Sequence, residues 1–186
     1  LSAHKLGGPK GVGALILREG REIAPLLRGG GQELGRRSGT ENVVGIAGFG
    51  AAAEAALAEL EAGVWDRIAA LRDGLEARLR DAAPELAIVG EGAPRLPNTA
   101  CVALAGWRGE TQVMQMDLAG YAVSAGSACS SGKAGPSRAL EAMGLGPEIA
   151  GSAIRVSLGP TTTEAEVAGF AAAWEDRYRR FRLKSA

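Results

Sequence analysis

Aromatic side chains are scarce in this sequence. They make up 4% of its 186 residues, so a core has to be built mainly from Ala, Val, Leu and Ile; the hydrophobic share of 46% is enough for one. Histidine occurs once, as His4, which excludes a His-rich metal centre. Cysteine occurs twice, as Cys101 and Cys129, with no CxxC spacing and no secretory leader pattern. A single disulfide is allowed but not implied, and a reducing, cytoplasmic setting is the expectation. Neither sign of charge dominates: 21 Lys and Arg stand against 21 Asp and Glu, a formal net charge of zero. That balance argues against a chain built to grip nucleic acid or an anionic membrane. Nor does any run look apolar enough to cross a bilayer. The first residue is Leu rather than Met and the chain enters a dense motif at once, so it reads as a piece of something longer. Its length suits one large domain, or one domain plus part of another.

What is present alternates between strand-like and helix-like patterns. Residues 12–17 form a continuous apolar run between glycines and predict a strand buried on both faces. Residues 28–42 are rich in Gly, Arg and polar side chains without a period, and predict a loop. Residues 43–62 are dense in Ala and Gly at helical spacing. Residues 64–82 carry Ile68, Leu71, Leu75 and Leu79 on one stripe with charges opposite, and Pro84 ends the pattern. Strands are expected at 86–89, 99–105, 121–125 and 153–158, with helices at 109–119 and 137–143. The last of these strands alternates: Ala153, Arg155 and Ser157 on one side, Ile154, Val156 and Leu158 on the other. Thr163 and Glu166 have the spacing of a capping box, ahead of a helix striped with Val167, Phe170, Ala171, Trp174, Tyr178 and Phe181. Residues 126–136, rich in Gly and Ser, read as a mobile loop.

Four segments could carry chemistry. Residues 2–11 place Lys5 beside Ser2 and His4, among Gly7, Gly8 and Gly11. An amine held neutral can form a Schiff base with an aldehyde cofactor, flanking donors suit a phosphate, and glycines let the backbone approach a ligand. The competing reading is a surface turn with a solvated lysine, the better choice for a short motif taken alone. Residues 29–42 combine Gly29, Gly30 and Gly31 with Arg36, Arg37, Ser38 and Thr40 ahead of a helix, a composition that suits an anion. Taken alone, the segment is better read as a flexible solvated loop. Cys129 sits among small residues in 124–132, where a thiol is accessible and can swing. Cys101, inside an apolar run, is better read as an inert small hydrophobe. Arg155 lies inside a strand pattern and needs a reason to be there: a carboxylate to clamp, or an internal salt bridge.

Taken in order, these segments resemble the cysteine desulfurases of the NifS/IscS type, in the class V aminotransferase family. The match rests on Ser2, His4, Lys5, Gly8, Pro9, Lys10 and Gly11, then on residues 37–42, then on the Gly126, Ser127, Ala128, Cys129, Ser131 pattern, then on Ile154, Arg155, Ser157, Leu158 and Gly159. One such motif is weak, whereas four in sequence are specific. The short cysteine loop is similar to the group I branch; Ser130 and residues 132–135 depart from its commonest form.

The resemblance implies an α/β fold, the C-terminal part of a pyridoxal 5'-phosphate (PLP)-dependent transferase of fold type I. Residues 1–45 would end the large cofactor domain, 46–84 would be a helical connector, and 85–186 would form a small α+β domain. It implies that Lys5 holds the pyridoxal phosphate and then moves a proton, that Ser2 and His4 contact its phosphate, and that Thr40 reaches the phosphate of the other subunit in a homodimer. Arg155 would clamp the carboxylate of L-cysteine. Cys129 would take the sulfur as a persulfide, leaving L-alanine, and pass it to an acceptor such as an iron–sulfur scaffold, where Cys129 can also contact a cluster. Neither a resident metal nor a nucleic-acid or membrane partner is expected. The family's acidic partner for the pyridine nitrogen and its ring-stacking group belong to a preceding half, so the 186-residue chain alone is expected to bind the cofactor weakly or not at all. The alternatives are a selenocysteine lyase, another class V aminotransferase, or a folded module without catalysis.

Overall fold

The glycine and proline punctuation of the sequence cuts the chain into short elements, and a computed structural model describes residues 1–125 and 137–185. Helix α1 spans Val43–Glu61 and is started by Asn42, whose side chain accepts from the Gly45 N–H at 3.1 Å. Gly63 in the left-handed region (φ 70°) separates it from α2, Val64–Ala82. The order then runs β1 (Ala87–Ile88), β2 (Thr99–Ala103), α3 (Gly109–Asp117), β3 (Ser124–Ala125), α4 (Arg138–Ala142), α5 (Pro147–Ser152), β4 (Ala153–Ser157) and α6 (Glu164–Ser185).

The chain forms two compact units, Leu1–Ala62 and Gly63–Ala186. The division falls inside the 46–84 stretch expected to be a connector. Its second half, α2, is integral to the second unit, with Ile68, Leu75 and Leu79 buried in that unit's core.

The second unit holds one antiparallel sheet of order β1-β2-β4-β3. Period-two alternation decides its faces. Ala100 and Val102 on β2 and Ile154 and Val156 on β4 join the buried stripes of α2 and α6, including Leu79, Phe170 and Trp174. Each fully buried large side chain in this layer contributes roughly 1.5–3 kcal/mol. On the opposite face Ala103 and Ala153 pack with Leu140 and Ala150 of α4 and α5. That cover reaches one end of the sheet, and beyond it Arg155 and Ser157 are exposed.

A buried amide ties the layers together. Gln112 donates to Trp107 O (2.9 Å) and Ser152 O (2.8 Å) and accepts from Trp174 Nε1 (3.4 Å). Beside it, α3 presses on β4: a Cβ at Gly109 would lie 2.6 Å from Ala153 O. The expected capping box is formed, with Glu166 Oε2 accepting from Thr163 N–H (2.8 Å) and Glu166 N–H donating to Thr163 Oγ1 (3.3 Å).

Two expectations need correction. Residues 12–17 are not a buried strand: the segment makes a single bridge, Ser2 to Gly13, and Leu15 and Ile16 are exposed. A strand buried on both faces needs neighbours on both edges, and unit 1 supplies only one short pairing. The judgement that no run could span a bilayer also fails for α1, which is long and apolar enough by length and composition alone. Its apolarity comes from many alanines rather than from Leu and Ile, so no single run stands out in the sequence. The short helix α5 escaped prediction, because Gly146 and Gly151 flank and interrupt it.

Candidate active site

The turn that presents Lys5 is built by backbone and by glycine. Leu1 N donates to Ala14 O (2.7 Å) and Ala14 N–H returns to Leu1 O (3.0 Å), while Ala3 N–H donates to Val12 O (3.1 Å). This pairing leaves no room for a side chain at Gly13, whose Cβ would sit 2.5 Å from Leu1 O. Fully buried Ala3 then accepts from both Leu6 N–H (3.0 Å) and Gly8 N–H (2.9 Å), which folds Ala3–Lys5 into a single 3-10 turn. Gly7 (φ 91°) and Gly11 (φ 82°) hold left-handed conformations that let the chain leave it. Ser2, His4 and Lys5 are exposed on this turn. None of their side chains makes a hydrogen bond or ion pair among the described residues.

The Thr40 segment belongs to the same unit. Its loop closes on itself: Ser38 Oγ donates to Gly30 O (2.9 Å), Arg37 Nη1 to Ser38 O (2.9 Å), and Gly39 N–H to Gln32 Oε1 (3.3 Å). Glu33 (φ 54°) and Leu34 (φ 57°) are held in the left-handed region, a conformation that costs non-glycine residues on the order of 1–3 kcal/mol each. Such strain persists only where surroundings enforce it. Ser38 and Arg37 are therefore occupied in shaping the loop, whereas Thr40 and Arg36 stay exposed with no side-chain partner. The following helix returns to the Lys5 motif: a Cβ at Gly48 would meet Pro9 Cγ at 2.9 Å. One residue without a side chain thus seats α1 against the proline that closes the lysine turn.

Arg155 is presented from the second unit. On β4 it stands in register between Cys101 on β2 and Ser124 on β3. It is exposed and forms no ion pair among the described residues, so the internal salt bridge that competed for it in the sequence is absent. A planar cation on a strand, with small residues in register on either side and no ion pair among the described residues, is a suitable fork for a carboxylate. Burial pushes the neighbouring Cys101 thiol above its ordinary value, an effect that the Arg155 charge partly offsets. Cys101 is accordingly a poor nucleophile, as the sequence suggested. Sequence reasoning missed that it lies directly across from Arg155, since only strand register reveals that. Cys129 lies outside the described residues. No cluster of three or more His, Cys, Asp or Glu suited to a metal occurs among the described residues.

The second unit is an antiparallel sheet with helices on both faces and Arg155 on one strand, the first carries Lys5 on a glycine-bounded turn, and together they place the chain in the α/β class. The chain belongs to the class V aminotransferase family: residues 1–170 match the family described as Aminotransferase class-V. It is 48% identical over 167 residues to a cysteine desulfurase of Cereibacter sphaeroides, covering 90% of this chain and 42% of that protein. A cysteine desulfurase of Bradyrhizobium diazoefficiens is 47% identical over 186 residues, all of this chain and 47% of the relative. The chain thus spans less than half the length of these curated relatives. Among solved structures, the NifS-like protein from Rickettsia africae superposes with a TM-score of 0.84 at 36% identity, covering 96% of this chain and 46% of that one. A structure described as SspA in complex with cysteine superposes with a TM-score of 0.59 at 30% identity, over 87% of this chain and 44% of the other. These neighbours bear out the expected fold class, a PLP-dependent enzyme architecture.

Proposed function

We propose that this chain is the C-terminal part of a cysteine desulfurase that converts L-cysteine to L-alanine and an enzyme-bound persulfide. The observation that carries the reading is the conjunction of family membership with a bare Arg155 on β4 and an unpaired Lys5 on a separate, rigid turn. Residues 1–45 are then the end of a larger cofactor domain, and residues 85–186 belong to the small domain.

The family's cofactor, pyridoxal phosphate, fits the residues present. An aldehyde needs an amine free of ion pairs, and Lys5 is one; a phosphate needs hydroxyl, imidazole or N–H donors, and Ser2 and His4 stand exposed on the same turn. When bound, the cofactor supplies an electron sink for chemistry at the substrate's α-carbon. Lys5 holds it and afterwards carries a proton on Nζ. Ser2, His4 and, across a homodimer, Thr40 hold its phosphate. Arg155 orients the substrate by its carboxylate. The thiolate of Cys129 attacks the substrate's sulfur, so that an S–S bond forms as the substrate's Cβ–S bond breaks and its electron pair stays with the carbon fragment, which takes up a proton and leaves as alanine; the persulfide sulfur then passes to an acceptor such as an iron–sulfur scaffold. A reducing compartment suits that thiol.

The test is the intact protein, loaded with pyridoxal phosphate and given L-cysteine. Alanine and sulfide should appear in equal amounts with a reductant present. Lys5→Ala should abolish both, and Arg155→Ala should raise KM for cysteine by roughly tenfold or more. A Cys129→Ala variant with full activity on cysteine would replace this reading with a selenocysteine lyase or another class V aminotransferase. The 186-residue chain alone should show no turnover.

A further inference from the structure

The ends of α3 and α6 frame an open groove of about 660 Å³ in the second unit. It lies outside the elements that carry Lys5, Thr40 and Arg155. Three independent features of it are unexplained by the fold.

The first is unmet hydrogen bonding. Trp107, which lines the groove, is 2% exposed, yet neither its Nε1–H nor the Oε1 of Gln115, also in the lining, has a hydrogen-bond partner among the described residues. Buried polar groups are nearly always paired, and leaving one unpaired costs roughly 1–3 kcal/mol. The second is apolar exposure. Leu118 and Leu183 both line the groove at 78% and 82% exposure, together with the Trp107 and Phe181 rings, which stack with centroids 5.3 Å apart. The third is charge. Arg177 and Arg180 share a single carboxylate, Asp176, and Lys184 has no acidic partner among the described residues. The rim is therefore cationic, although the whole chain has no net charge.

Both atoms are shielded from solvent, so a docked segment meets them only once the half-buried Gln115 amide turns outward; its backbone C=O and N–H then supply what the indole N–H and the glutamine oxygen lack. Exposed leucines in a lining that includes aromatic rings suit an apolar anchor residue, and the cationic rim selects acidic flanks. We propose that this groove docks an acidic peptide segment of a partner protein, with an apolar side chain seated against Leu118 and Leu183. The inference rests on the second unit alone and stands whether or not the desulfurase reading holds.

The experiment uses the intact protein and a fluorescein-labelled, helix-forming synthetic peptide that carries glutamates on one face and leucines on the other. A second peptide has lysine in place of every glutamate. The acidic peptide should bind saturably, weaken as salt is raised, and shift the 19F resonance of 5-fluorotryptophan at Trp107, identified by its loss in Trp107→Phe. Arg180→Glu with Lys184→Glu should weaken it by about tenfold or more, and Gln115→Leu by several-fold. Both sets of changes lie on exposed or half-exposed helix positions, and circular dichroism with an unchanged thermal midpoint establishes that they fold. Equal binding of the lysine peptide, an unmoved Trp107 resonance, or full binding by the charge-reversed variant would each overturn the proposal. So would self-association in sedimentation that the same charge reversal abolishes, because the groove's occupant would then be a second copy.

Discussion

The two units invert the usual relation between size of core and wealth of chemistry. Unit 2 holds nearly every buried hydrophobic of the described chain, from Ile68 to Tyr178, around one sheet. Unit 1 buries Ala3 and Gly45 and leaves Leu15, Ile16, Leu26, Leu34, Val43 and Val44 exposed. Yet unit 1 carries Ser2, His4, Lys5 and Thr40, four of the six residues assigned to catalysis, cofactor or substrate. Its order comes from backbone hydrogen bonds, glycine conformations and a few close contacts, not from apolar burial. A segment of this kind keeps its shape locally but cannot offset the conformational entropy of a whole domain. The chain spans under half the length of its relatives.

The sharpest way to break that contrast is to cut into each core. Trp174→Ala removes a fully buried ring from α6 and should cost about 3–5 kcal/mol in denaturant unfolding of the 186-residue chain. Val44→Ala, on exposed α1, should cost about 0.5 kcal/mol or less. Comparable losses at both sites would mean that α1 is buried in this chain after all. A smaller effect probes the polar tie. Gln112→Leu leaves Trp107 O, Ser152 O and Trp174 Nε1 without a partner and should cost about 1–3 kcal/mol, with slower-exchanging amides of α3 and β4 losing protection first.

How much of this was legible depended on whether a feature is local. The stripe of α2, the alternation of β4, and the Thr163–Glu166 cap are local, and residue spacing alone specifies each. The 12–17 run was misread because an apolar run signals a buried strand only if the partner strands exist, and those are not neighbours in the sequence. The environment of Arg155 was undecidable for the same reason: clamp and salt bridge predict the same residue in the same strand. The register puts Cys101 and Ser124 on either side of it, and no ion pair to it forms among the described residues. Gln112 gave no signal, since a lone glutamine in a helix pattern looks like surface. The likeness to known enzymes made the site legible through ordered motifs, although spacing alone would not have.

Protons offer gentler tests of unit 2. Glu85's own backbone N–H, the Tyr178 hydroxyl (2.8 Å) and the Arg182 guanidinium (2.7 Å) hold its carboxyl below the usual carboxylate range. A pKa depressed in the folded state contributes stability above the unfolded pKa, and that contribution is lost as pH falls through the folded value. Glu85→Gln should therefore lower stability at pH 7, by about 1 kcal/mol or less because the side chain is half-exposed, and the deficit should close under acid. A deficit independent of pH would assign the loss to packing.

The smallest effect is also the most local to the site. Burial raises the Cys101 thiol pKa, and the positive charge of Arg155 opposes that rise. Removing the charge should raise the pKa further and reduce the thiolate fraction at mildly alkaline pH. Iodoacetamide should then alkylate Cys101 a few-fold more slowly in Arg155→Ala than in the parent, with peptide mass mapping to separate it from Cys129. Arg155→Lys should restore most of the rate, because it restores the charge without the fork. In denaturant the variants should react alike. A faster reaction in Arg155→Ala would mean that the guanidinium shields the thiol rather than polarising it. An unchanged rate would mean that the arginine points away from β2, and the bare cation opposite Cys101 would no longer describe the substrate end of the site.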